Sequence, residues 1–104
     1  MINNNPLIDE AIPLKFYLSQ NYPNPFKEKT TIKYCVAYRT KVLLTVCNEK
    51  NEEMINLVNE VKNPGTYEVV FQSTVASRQL ASGSYCYRLE AGDYKNEMQM
   101  LLIK

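Results

Sequence analysis

Short segments in which apolar and polar residues alternate follow one another along most of this chain. They span residues 30–36, 41–48, 65–71, 83–90 and 96–104. A period of two puts one set of side chains on each face of a β-strand, so each segment predicts a half-buried strand. The apolar set is expected to face one shared core: Ile32, Tyr34, Val42, Leu44, Val46, Tyr67, Val69, Phe71, Tyr85, Tyr87 and Leu89.

Turn residues lie between these segments. Pro64 and Gly65 fit the two central positions of a type II turn, and Gly92 fits a tight hairpin in which glycine takes a positive φ. Gly83 precedes another strand. Seven short strands separated in this way predict an all-β fold, namely a seven-stranded antiparallel β-sandwich of the immunoglobulin-like or fibronectin-like kind. We expect this sandwich to be a monomer.

The segment 53–62 is open to two interpretations. Four of its apolar residues have the three- and four-residue spacing of a helix: Met54, Leu57, Val58 and Val61. The alternative is an edge strand with Ile55, Leu57 and Asn59 on one side. No clear capping residue precedes the segment and its neighbours are strands, so we favour the strand.

Length and charge limit the kinds of protein this chain can be. Its 104 residues suit one domain, and a formal net charge of +1 offers no electrostatic footprint for nucleic acid. Residues 1–14, with three successive asparagines and two prolines, predict a linker, and residues 15–104 predict the folded domain. The first residues lack the basic and apolar regions of a signal peptide, so we expect any export signal to lie upstream.

The residue types present argue against catalysis and metal binding. The chain has no histidine and only three glycines, which argues against a catalytic triad, a zinc site or a phosphate-binding loop. Cys35, Cys47 and Cys86 form no Cys-x-x-Cys pair. We therefore expect no enzyme activity, no metal and no cofactor. If their strands pair antiparallel, Cys47 and Cys86 lie close together on one outer face, and we expect both thiols to be reduced in a recombinant sample.

Two prolines one residue apart interrupt the first part of the domain, in the stretch Asn21-Tyr22-Pro23-Asn24-Pro25-Phe26. Proline cannot donate to a sheet, so a first edge strand is expected to break at Pro23. The rigid Pro-Asn-Pro run would carry the chain across the sandwich, with Phe26 buried at the rim of the core. We expect the Asn24 side chain to bond neighbouring backbone, as turn asparagines do.

These pieces together resemble the type A C-terminal sorting domain of the type IX secretion system. Asn21 to Phe26 matches the opening motif of that family, Pro64 to Tyr67 its central turn, and Gly92 its last hairpin. Ser82, Gly83, Tyr85, Tyr87, Arg88 and Leu89 match its "SGxYxYRL" strand. The resemblance runs from about Phe16 to Lys104. Cys47 and Cys86 replace frequent aromatic residues, the turn at 49–52 departs from the family pattern, and the loop 72–82 is longer than usual.

The resemblance implies an immunoglobulin-like domain, related in shape to that of the flagellar hook-capping protein, with no catalytic role. Such a module directs a folded cargo, located upstream in the same precursor, from the periplasm across the outer membrane. Its implied partners are the outer-membrane secretion machinery and a sortase-like processing peptidase. The expected location is the periplasm in transit and then the cell surface or the medium, with the domain cleaved off in many members. The alternative is a passive spacer or a carbohydrate-binding accessory module.

We expect recognition to rest on the last hairpin and strand, where a free edge could accept a strand of a receptor. The candidate recognition residues are Gly92, Met98, Met100, Leu101, Leu102, Ile103 and Lys104. The residues expected to serve the structure are Asn21, Tyr22, Pro23, Asn24, Pro25, Phe26, Pro64, Gly65, Gly83, Tyr85 and Tyr87.

Overall fold

A computed structural model describes residues 13–104, so the predicted linker lies outside the described part except for its last two residues. Within residues 13–104 the regular structure consists of β-strands alone. They are β1 (Tyr17–Leu18), β2 (Lys29–Val36), β3 (Thr40–Cys47), β4 (Glu53–Lys62), β5 (Gly65–Gln72), β6 (Thr74–Val75), β7 (Arg78–Gln79), β8 (Gly83–Ala91) and β9 (Tyr94–Leu102). The expected number of seven is exceeded by the short strands β6 and β7, which lie in the long loop 72–82.

The strands form two main antiparallel sheets. One sheet has the order β1-β2-β5, the other has the order β4-β3-β8-β9, and β6 pairs only with β7. Buried side chains from both main sheets belong to one core cluster, so the sheets pack face to face. The chain is therefore all-β and sandwich-like.

The predicted inward set makes up most of this core. Every residue in it is buried except Tyr67 and Val69, which are half-buried and pack against the cluster. Both lie on β5, an edge strand, where the facing sheet covers the side chains less completely. The Tyr67 ring still stacks on that of Tyr34, with centroids 5.4 Å apart.

The segment 53–62 is a strand, so the helical interpretation is wrong. β4 pairs with β3 along its whole length, but the register shifts twice, between Leu44 and Thr45 and again between Val46 and Cys47. Each shift is a β-bulge that places an extra residue on β4. Leu44 and Val46, two residues apart on β3, pair with Val58 and Ile55, which are three residues apart on β4. The core-facing positions of β4 therefore have a spacing of three here instead of two.

Two of the predicted turns have different outcomes. Gly92 has a φ of 58° at the β8–β9 hairpin, as expected for a tight turn. Gly65 has a φ of 159°, which is far from the value of about 80° at the third position of a type II turn. The type II assignment is therefore wrong: Gly65 is already the extended first residue of β5, which the chain enters as it passes from one sheet to the other.

Candidate functional site

The predicted recognition residues divide between the core and the surface. β9 is an edge strand of the four-stranded sheet, and it alternates strictly near its end. Met100 and Leu102 are buried and Met98 is half-buried, whereas Leu101, Ile103 and Lys104 are exposed. We call these last three residues the outer surface of β9. Ile103 and Lys104 border an open cavity of about 440 Å³ that is also lined by Lys27 and Gln79.

The backbone edge beside this surface is already occupied by the proline segment, residues 21–26. Phe26 donates its N–H to the Leu101 carbonyl and accepts the N–H of Ile103, each at 2.9 Å. The Asn24 Oδ1 accepts the N–H of Leu101 at 3.0 Å. The Gln20 side chain donates to the Gln99 carbonyl at 2.7 Å. This chain therefore supplies its own partner for β9 from Gln99 to Ile103.

This arrangement corrects the expectation of a free edge at the end of the chain. A strand of a receptor could pair only with the earlier part of β9, around Lys95 and Glu97. The N–H of Glu97 is taken by the Asn96 side chain at 2.8 Å. Charged residues on an exposed edge also discourage pairing with another strand. Recognition at the end of β9 must therefore use outward-pointing side chains unless the proline segment is displaced.

The proline segment is held by the buried side chains of its own Asn21 and of Thr30 on β2. The Asn21 Nδ2 donates to the Pro23 carbonyl at 3.1 Å and to the Thr30 Oγ1 at 3.0 Å. The Thr30 hydroxyl in turn donates to the Pro23 carbonyl at 2.8 Å. Asn21 thus makes the local turn contact that was expected of Asn24, whose bond runs to β9 instead. That expectation for Asn24 was wrong.

Phe26 is buried, as predicted, at the point where the segment changes sheets. Tyr22 forms an antiparallel bridge with Thr31 of the first sheet, and Phe26 forms a parallel bridge with Leu102 of the second. The Phe26 ring meets that of Phe71 edge to face, with centroids 6.0 Å apart. The segment therefore closes one open side of the sandwich.

Replacing Asn24 with alanine tests whether this side chain holds the two parts together. The substitution leaves the N–H of Leu101 without its partner, and one lost hydrogen bond at the surface should lower the free energy of unfolding by about 1 kcal/mol. Amide hydrogen exchange at Leu101 should become faster while that at Met100, which faces β8, stays slow. Unchanged exchange at Leu101 would contradict the contact.

Gly92 lies apart from the other recognition residues. Nine residues of strand at about 3.3 Å each separate the hairpin from the end of β9, a distance of roughly 30 Å. Gly92 instead lies against the Tyr38 ring, so closely that an added Cβ atom would collide with the Tyr38 hydroxyl. Its positive φ and this contact give it a structural role at the hairpin.

The polypeptide enters the fold at the same end as this hairpin. The Phe16 ring packs against Tyr38 and Tyr94, with centroid separations of 4.9 and 5.7 Å. The aromatic cluster of Phe16, Tyr38 and Tyr94 therefore anchors the N-terminal end of the domain. The outer surface of β9 lies at the opposite end.

Two predicted structural tyrosines donate hydrogen bonds that tie β8 to the rest of the fold. The Tyr85 hydroxyl donates to the Ala81 carbonyl at 2.7 Å, four residues upstream. The Tyr87 hydroxyl donates to the Ser19 carbonyl at 2.6 Å. Burial raises the pKa of Tyr87 to about 12, so the hydroxyl remains protonated and able to donate. Pro64 connects β4 with β5 in the crossing between sheets.

Cys47 and Cys86 are directly opposite each other in the pairing of β3 with β8, as the antiparallel arrangement predicted. They lie on the outer face but are buried, beneath Asn51 and Arg88. The Arg88 Nη2 donates to the Cys47 Sγ at 3.2 Å and to the Asn51 Oδ1 at 3.0 Å. Burial, followed by the charge and hydrogen bond of Cys47, raises the pKa of Cys86 to about 11.

Comparison with known proteins supports the fold. No protein-family model matches the chain, and no curated protein sequence matches it. Its structure is similar to part of the crystal structure of dimeric latent PorU from Porphyromonas gingivalis, with a TM-score of 0.63 and 13% sequence identity. The match covers 81% of this chain and 9% of the PorU chain. At this identity the likeness shows a shared fold alone.

Two contributors to the site were not foreseen from the sequence. Gln20 and Thr30 hold the proline segment and β9 in place, yet neither belongs to a recognisable motif. A polar residue at position 30, on the inward side of an alternating strand, was the one available signal.

Within residues 13–104 no helix is long and apolar enough to cross a bilayer, and no group of three acidic, cysteine or histidine side chains is placed to hold a metal.

Proposed function

We propose that this domain is a non-catalytic sorting module that directs a folded cargo across the outer membrane through the type IX secretion system. The observation that carries the proposal is the contact between two separate motifs. The segment Asn21–Phe26 lies along the end of β9, where Asn24 and Phe26 make two hydrogen bonds with Leu101 and Phe26 makes one with Ile103. Both segments lie in the part of the chain, from about Phe16 to Lys104, that resembles the sorting-domain family.

The outer surface of β9 is the proposed contact with the secretion machinery. Leu101 and Ile103 are exposed apolar side chains, and Lys104 adds a positive charge beside them. The proline segment fixes the backbone of this strand, so the three side chains are presented in a defined order. A preorganised surface loses less conformational entropy when a receptor binds. A processing peptidase would act on the same precursor, on the N-terminal side of the domain.

The two ends of the domain fit this role. A cargo upstream would join at the end anchored by Phe16, Tyr38 and Tyr94. The outer surface of β9 lies at the opposite end, so a bulky folded cargo leaves it accessible. The same recognition surface could then direct many different cargo proteins.

We further propose that the fold is an immunoglobulin-like sandwich with the two-strand hairpin β6–β7 as an insertion. β3 pairs with β8 as strands C and F do in such folds. The bond from the Tyr85 hydroxyl to the Ala81 carbonyl matches the tyrosine corner, in which a tyrosine early in strand F bonds backbone a few residues upstream. The structural likeness to PorU agrees with a sandwich of this kind.

The test is surface delivery of a fluorescent reporter in a bacterium that has the type IX machinery. The reporter carries a periplasmic export signal and is followed by residues 1–104. We expect this fusion at the cell surface, whereas the reporter alone and a fusion with a second folded domain appended after Lys104 should remain in the periplasm. Equal delivery with the appended domain would favour a passive spacer, and periplasmic retention of the intact fusion would contradict the proposal.

A further inference from the structure

Two thiols face each other at a place in the fold that the sorting proposal does not use. Cys47 and Cys86 are directly opposed residues of β3 and β8. Opposed residues in an antiparallel pair have Cα atoms about 4.5–5.5 Å apart, and disulfides form at Cα separations of about 4.4–6.8 Å. A bond between the two sulfur atoms therefore requires no large movement of the strands.

One of the two thiols can be reached from solvent. Cys86 lines an open cavity of about 190 Å³, together with Asn51, Glu97 and Gln99. Cys47 is fully buried behind it, where its sulfur accepts a hydrogen bond from Arg88. The arrangement thus places Cys86, which is 7% exposed, at the wall of a cavity and Cys47 fully enclosed behind it.

We propose that Cys47 and Cys86 form a thiol modification site that reacts with a small organic disulfide and closes into a cross-strand disulfide between β3 and β8. This inference does not depend on the sorting function. It concerns the reaction with an oxidant, whereas the protein as isolated is expected to contain free thiols. The raised pKa of Cys86, about 11, agrees with this because a protonated thiol reacts slowly at neutral pH.

The reaction has two exchange steps. The Cys86 sulfur, after losing its proton, attacks one sulfur of the small disulfide, forming a mixed disulfide and releasing one thiolate, which takes up a proton. The Cys47 sulfur, also deprotonated, then attacks the Cys86 sulfur of this mixed disulfide and displaces the second thiol. Two protein thiols are oxidised to one disulfide, and the small disulfide is reduced to two thiols.

The experiment uses the full chain carrying Cys35→Ser, so that only the two proposed thiols remain. The protein is first reduced, freed of reductant and then treated with oxidised glutathione under native conditions. We expect the intact mass to fall by two hydrogen atoms, with no glutathione retained and with both thiols protected when the protein is alkylated after unfolding. Dithiothreitol should restore both thiols.

Two further variants in this background separate the steps. With Cys47→Ser, the reaction should stop at a glutathione adduct on Cys86, and with Cys86→Ser the enclosed Cys47 should stay unmodified. The bridged form should also unfold at a higher denaturant concentration, because a cross-link restricts the unfolded chain. The inference is overturned if both thiols of the oxidant-treated protein can be alkylated after unfolding, or if a glutathione adduct persists while Cys47 is present.

Discussion

Replacing Phe26 with alanine is expected to lower the free energy of unfolding by about 3–5 kcal/mol, the usual cost of removing a core aromatic side chain. The Phe26 side chain is 1% exposed and packs edge to face on Phe71. Its loss leaves a cavity between the two sheets at the place where the proline segment crosses from one to the other. Chemical denaturation of the two proteins measures the difference.

Tyr22 supplies the matched control for this substitution. It is an aromatic residue of the same segment, but its side chain is 80% exposed. Tyr22→Ala keeps the backbone bridge to Thr31 and should change the free energy of unfolding by less than about 0.5 kcal/mol. Equal losses for the two variants would show that the segment acts through its backbone alone and that Phe26 is no part of the core.

Removing residues 100–104 is expected to abolish cooperative unfolding altogether. The deletion takes away the buried side chains of Met100 and Leu102, each worth about 2–5 kcal/mol in a core. It also removes the backbone groups of Leu101 and Ile103 that pair with Phe26. The combined loss approaches the whole stability of a small domain, about 5–15 kcal/mol.

A shorter deletion provides the comparison. Removing 103–104 alone keeps Leu102 in the core and loses one backbone bond to Phe26, so the melting transition should remain cooperative. A cooperative transition in the longer deletion would contradict the place given to Met100 and Leu102. The expected result also means that loss of export after the longer deletion would reflect unfolding, so the recognition residues must be tested by substitution.

Local spacing predicted the faces of the strands because alternation depends only on neighbouring residues. Ile32, Leu44 and Tyr87 therefore face the core as expected. The form of β4 was harder to predict because its two bulges come from pairing with β3 and produce a helix-like spacing of apolar residues. The left-handed turn at Gly92 was predictable because only glycine takes that conformation without strain.

The candidate site was less predictable because it depends on contacts between distant parts of the chain. Asn24 and Leu101 are 77 residues apart, and no local pattern pairs an asparagine with one backbone N–H so far away. The same reason applies to the burial of Cys47 and Cys86, which alternation assigned to an outer face. The loop that carries Asn51 lies over that face, where Asn51 contacts Cys86 and Arg88 of β8, more than 30 residues away in the sequence.

If the outer surface of β9 carries the export information, as proposed, replacing its exposed apolar side chains should stop surface delivery. Leu101 and Ile103, with exposed fractions of 42% and 38%, are replaced together by serine in the reporter fusion. Val61 and Val70, which lie on β4 and β5 with exposed fractions of 50% and 48%, are replaced in a matched control. Both double variants should melt close to the parent protein because surface substitutions rarely change stability by more than about 0.5 kcal/mol each.

We expect the control fusion to reach the cell surface as the parent does, while the folded Leu101→Ser, Ile103→Ser fusion accumulates in the periplasm. Delivery of both double variants at the parent level would contradict the proposal, because the exposed side chains at the end of β9 would then carry no part of the signal.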